Sequence, residues 1–98
     1  MVDAFAQLAM AVRLEPRHVL VWYNLGLAQN ALGQTDGAIT SLLRAELLAP
    51  TDARIPYARA TILTQSGRSS EAIGAAKRSL EIDPSSADAR QLLYALTK

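Results

Sequence analysis

Three prolines, Pro16, Pro50 and Pro84, stand 34 residues apart. The same step relates Gly33 to Gly67, Ala4 to Ala38 and Ala72, Ala11 to Ala45, and Leu14 to Leu48 and Ile82. Recurrence at a fixed period of this length is the mark of a repeat architecture, in which each copy is a supersecondary unit unable to bury its apolar face alone. Fold and function therefore have to be read within this register.

Inside each period the apolar residues follow a helical spacing. Residues 3–15 carry Ala4, Phe5, Leu8, Ala11 and Val12, the stripe of an amphipathic helix. Pro16 ends it, because a residue preceding proline is pushed out of the helical region. A second helix is predicted over 19–32, with Trp22, the main anchor of the full unit, Leu25, Gly26, Ala28 and Leu32 inward and only Arg17 and His18, poor caps, before it. Gly33 suits the left-handed position just after a helix. Residues 36–48 form the next helix, with Ala38, Ile39, Leu42, Leu43 and Ala45 inward and Thr35 or Asp36 as its cap. Thr51 and Asp52 are good caps for a helix at 53–66, whose first turn holds Pro56 and is expected to start irregularly. After Gly67, Ser69 or Ser70 caps a helix at 70–82, with Glu71 near the positive end of its dipole. Ser85 and Ser86 cap a last helix at 87–97. Helices this short are marginal in isolation, so each must pack on its neighbours. The expected fold class is all-α, with about six short antiparallel helices.

These residues resemble the tetratricopeptide repeat family, whose consensus is W-x₂-L-G-x₂-Y, then A-x₃-F, then P, over about 34 residues. Trp22, Leu25, Gly26, Ala38 and Pro50 match, while Gln29 replaces Tyr and Leu42 replaces Phe. In the next copy Pro56, Arg59 and Ala60 stand at the Trp, Leu and Gly positions, and only Ala72 and Pro84 match outright. With Gly33, Ala45 and Gly67 these are the structural repeat positions. The resemblance implies a right-handed superhelix of helical hairpins. The register makes 1–98 a single domain: 1–18 the second helix of an incomplete unit, 19–52 and 53–86 full repeats, and 87–98 a C-terminal capping helix. The chain is thus expected to begin within a longer array. Gly26 inside a helix costs about 1 kcal/mol against Ala, which close approach of the partner helix at Ala38 would offset.

The resemblance further implies that the first helices of the units line a concave groove for a partner peptide or helix. The outward residues are Leu20, Tyr23, Asn24, Leu27 and Asn30, then Arg54, Tyr57, Thr61 and Thr64, then Asp88 and Gln91. Some family members clamp a terminal carboxylate with Lys and Asn, but Arg54 is the only basic groove residue of the inner units here, so that clamp is not supported. Arg59, at the buried Leu position, is expected to snorkel or to pair with an acid.

Composition excludes several function classes. The net charge is +1 with acids and bases interspersed, which argues against a nucleic-acid surface. No cysteine is present, so disulfides and thiolate chemistry are out, and no apolar run is long enough to span a membrane. His18 is alone in a turn, Glu81 and Asp83 read as a solvated pair, and the loop from Gly33 to Gly37 lacks the Lys of a phosphate loop. With no nucleophile–base set, the expectation is a protein-binding scaffold that is not an enzyme and needs no cofactor or metal. A structural or regulatory tail of a larger protein is the alternative, as is a self-association module pairing through the N-terminal helix, where Phe5, Leu8 and Val12 would lie open. Arginine in excess over lysine hints at a bacterial origin.

Overall fold

The computed structural model describes residues 4–98. It contains α1 (Ala4–Leu14), α2 (Val19–Ala31), α3 (Thr35–Leu48), α4 (Arg54–Gln65), α5 (Ser69–Ile82) and α6 (Ala87–Thr97), and no strand among the described residues. The chain divides into two compact units, Met1–Ala49 and Pro50–Lys98. In the first, α2 packs against α1 and α3; in the second, α5 packs against α4 and α6, and α4 also touches α6.

The α2–α3 and α4–α5 hairpins close on the same device. Gly33 and Gly67 have φ of 81° and 77°, the left-handed conformation that glycine adopts without steric cost. Gly33 N–H donates to Asn30 O at 3.0 Å and Gln34 N–H to Gln29 O at 2.8 Å. Gly67 and Arg68 repeat the pattern on Thr64 O and Leu63 O, at 3.1 and 2.9 Å. This is the Schellman arrangement, which satisfies carbonyls left open at a helix end.

The turn also corrects the expected caps. Gln34 and Arg68, not Thr35 or Asp36 and Ser69 or Ser70, are the N-caps of α3 and α5, and neither makes a side-chain cap bond. Each residue closes the Schellman turn with its N–H and offers its carbonyl to the next helix, accepting from Ala38 N–H and Ala72 N–H. One residue doing both starts the following helix one position early. The expected serine cap does form on α6, where Ser86 Oγ accepts from Ala89 N–H at 3.2 Å.

Pro56 is buried in the first turn of α4, where no N–H has an intrahelical partner to lose. The entry is tightened as expected: Ala53 is already helical, and Ile55 N–H donates three residues back to Asp52 O at 3.2 Å.

In the first unit the core forms around Val12, Leu25, Ala38, Ile39, Leu42 and Ala45. A Cβ on Gly26 would stand 2.9 Å from Leu42 Cγ and 3.2 Å from Ala38 O, so the close approach that offsets this glycine is real. Trp22, expected as a main anchor, is only half-buried. Its Nε1 donates to Pro16 O at 2.7 Å, and the Arg44 guanidinium lies 6.0 Å from the ring centroid. The second unit buries Ile55, Pro56, Ile62, Leu63, Ala60, Ala72 and Ala76, with Ser79 Oγ donating to Ala53 O at 2.9 Å.

Candidate functional site

The predicted outward residues fall on three helices. On α2, Leu20, Asn24 and Leu27 are exposed, and Tyr23 and Asn30 are half-buried. Their spacing puts them along one side of the helix. Leu20 keeps 50% and Leu27 39% of its surface in solvent. That is a large apolar exposure for a helix only 13 residues long, and the side chains between the leucines, Tyr23 and Asn24, are neutral.

On α4, Arg54 and Thr64 are exposed and Tyr57 and Thr61 half-buried. Both threonines turn their hydroxyls to their own helix: Thr61 Oγ1 donates to Tyr57 O at 3.0 Å and Thr64 Oγ1 to Ala60 O at 2.7 Å. Their hydroxyl protons are thereby engaged, leaving acceptor character and a methyl outward. Asp88 and Gln91 are exposed on α6.

A feature that the periodic pattern did not bring out is the partner of Arg54. Its Nε and Nη2 donate to Asp52 Oδ1 and Oδ2 at 3.0 and 2.7 Å, and its N–H donates to Oδ1 at 3.1 Å. The side-chain bonds to Arg54 hold the Asp52 carboxyl below its ordinary value, against a smaller opposing effect of burial. The signal was an acid two residues before the arginine, at the position just ahead of the helix, where it was read as a cap alone.

The remaining polar positions are structural. Asp83 Oδ1 accepts from Ser85 N–H and Oγ at 3.1 and 2.6 Å, closing the turn before α6. Arg59 is half-buried at its repeat position. No cluster of three His, Cys, Asp or Glu residues that could hold a metal occurs among the described residues. No helix among them is long and apolar enough to cross a membrane.

A family model for the tetratricopeptide repeat matches residues 3–53 and 31–87. The chain belongs to the tetratricopeptide repeat family. Solved structures agree on the fold. The Yersinia enterocolitica type III secretion chaperone SycD, in complex with a peptide of the translocator YopD, superposes with a TM-score of 0.87 at 21% identity, over 95% of this chain and 76% of that one. The second TPR domain of human RPAP3, in complex with the HSP70 peptide SGPTIEEVD, gives 0.87 at 19% identity, over 96% of this chain and 78% of that one. MamA gives 0.89 at 25% identity, over 94% of this chain but only 50% of that one. Comparison with functionally curated proteins yields no match.

Within the repeat register one backbone acceptor recurs with changing donors. The carbonyl of the turn proline is held by Trp22 at Pro16, by Arg90 Nη2 at Pro84 (2.9 Å) and by Arg78 Nη2 at Pro50 (3.0 Å). Trp22 and Arg90 occupy the same repeat position, where the middle copy has Pro56 and no side-chain donor. There the bond comes from the second helix of the hairpin instead.

Proposed function

We propose that this chain is a protein-interaction module that holds a peptide or helix of a partner protein on the faces of its first helices. The binding side chains are Leu20, Tyr23, Asn24, Leu27 and Asn30 of α2, Arg54, Tyr57, Thr61 and Thr64 of α4, and Asp88 and Gln91 of α6. The observation that carries this reading is the exposed leucine pair of α2 flanking Tyr23, since exposed apolar groups next to an aromatic with a polar tip suit recognition. Related support comes from SycD and human RPAP3, both solved with peptides bound. The reaction is association; none of these side chains forms a nucleophile–base set.

The test is site-specific photo-crosslinking. A crosslinker at Tyr23 or Tyr57 should capture one defined partner in the cells that produce the protein, and one at Lys77, exposed on α5, should not. Equal capture from both positions would overturn the assignment of the face.

A second reading, pairing of two copies through α1, has its own support. Val12 is buried and Phe5 and Leu8 are half-buried, so the stripe expected to lie open is largely taken up; Met10 and Leu14 are instead 63% and 75% exposed. A self-complementary two-fold contact there would be closed and self-limiting. Sedimentation equilibrium should then show a dimer that Leu14→Glu dissociates, and a concentration-independent monomer would dispose of this second reading.

A further inference from the structure

Alone among the six described helices, α2 carries no Asp, Glu, Lys or Arg, while α1 has Arg13, α3 Asp36, Arg44 and Glu46, α4 and α6 two each and α5 four. Uncharged helices are ordinarily buried ones. Yet α2 buries only Leu25 and Gly26 and leaves Leu20 and Leu27 exposed. Between them, the Tyr23 and Asn24 side chains are polar but carry no charge.

We propose that the α2 face of this module selects an uncharged, apolar segment of its partner and discriminates against acidic peptides. The inference rests on the reading of α2 as part of the binding face. Exposed leucines gain from covering apolar surface. A carboxylate brought against them loses its water and finds no cation on α2 itself in return. The complementary segment therefore presents leucine, valine or an aromatic at helical or extended spacing, with Ser, Asn or Gln between. Binding of this kind barely responds to salt, because no exposed ion pair forms across the interface.

The experiment uses the full chain and a peptide array with fixed apolar content and net charge stepped from strongly negative to strongly positive. One acidic probe is SGPTIEEVD, the peptide bound by the human RPAP3 domain. The expected result is that neutral apolar peptides bind at least about tenfold more tightly than the acidic ones. Their affinity should be flat in sodium chloride, and Leu20→Ser with Leu27→Ser, both at exposed positions, should abolish it without changing the circular dichroism spectrum. Acidic peptides binding as well as neutral ones, with the same loss in the double variant, would leave the α2 face as a binding face and overturn its selectivity. Binding unchanged by the double variant, or an array silent at every charge, would overturn both. A concentration-dependent dimer dissociated by Leu20→Ser and Leu27→Ser would give the face to a second copy of the chain and also overturn the proposal.

Discussion

The α2–α3 hairpin carries most of the repeat's consensus residues and the α4–α5 hairpin few, yet α4 is far better buried than α2. Ile55, Pro56, Ala58, Ala60, Ile62 and Leu63 are all inside, against Leu25 and Gly26 of α2. The two hairpins solve the same packing problem with different volumes. Where the first pairs Gly26 with Leu42, the second has Ala60 and Ala76 at the same positions, all four buried. Where the first has Gln29, whose Oε1 accepts from Ser41 Oγ at 2.5 Å, the second has Leu63 and Ala75. Gln29 needs room, and Gly37 supplies it: a Cβ there would come within 2.8 Å of Gln29 Nε2. A consensus residue thus records one half of a coupled pair. It does not measure how deeply a helix is buried. Instead, α2 keeps Leu20 and Leu27 in solvent.

If this comparison is right, the largest single loss should come from the degenerate hairpin. Leu63 is fully buried, so Leu63→Ala should cost about 2–5 kcal/mol through lost transfer energy and a residual cavity. Gln29→Ala at the equivalent position should cost distinctly less, because Gln29 is only half-buried. Chemical denaturation of both variants gives the order directly, and a larger loss at Gln29 would reverse the assignment of depth.

Next in size is the glycine contact. Gly26→Ala places a methyl against Leu42 and the Ala38 carbonyl. Overpacking costs about 1–3 kcal/mol, less about 1 kcal/mol from the better helix propensity of alanine, leaving a net loss of about 0–2 kcal/mol. In a Leu42→Ala background, which reproduces the small–small pair of the second hairpin, the same substitution should be neutral or stabilising. A double-mutant cycle with no coupling would show that Gly26 and Leu42 do not constrain each other.

Trp22→Phe tests the turn. It keeps a ring but removes the bond from Nε1 to Pro16 O. The expected loss is about 0.5–1 kcal/mol, the lower part of the range for one hydrogen bond because the pair is solvent-accessible. Nuclear magnetic resonance should show the change confined to the Pro16–Val19 turn.

Much of this architecture was legible in the sequence, and the boundary of legibility is physical. Apart from the expected start of the first helix at residue 3, which lies outside the described residues, the helix limits fell within a residue of the observed ones because Gly33 and Gly67 take positive φ and Pro16, Pro50 and Pro84 punctuate the period. The caps of α3 and α5 were misplaced because a Schellman turn can pass directly into the next helix, a geometry that rewards no particular side chain at Gln34 or Arg68. Trp22 was overrated because a consensus letter says where a ring sits, not how much of it water reaches. On α2 the register marks Leu20, Asn24 and Leu27, which are exposed, together with Tyr23 and Asn30, which are half-buried, whereas the Asp52–Arg54 pair shows only in the structure.

The smallest predicted effect probes the comparison most closely. Gln29→Leu alone imports the Leu63 solution into the first hairpin but strips Ser41, which is almost fully buried, of its acceptor. That should cost about 1 kcal/mol, the low end of the penalty for an unsatisfied buried group. The hydroxyl can still turn to a carbonyl four residues back in its own helix. Adding Ser41→Ala removes the stranded group and completes the pair found as Leu63 and Ala75. Replacing both partners of a hydrogen bond by apolar groups of suitable shape is close to neutral or stabilising. The double variant should therefore return to within about 0.5 kcal/mol of the parent, with the emptied space over Gly37 as the remaining cost. Equilibrium denaturation of the parent, both single variants and the double variant decides it. If the double loss equals the sum of the single losses, the polar pair is a support of the first hairpin in its own right, and the two hairpins are not interchangeable solutions to one packing problem.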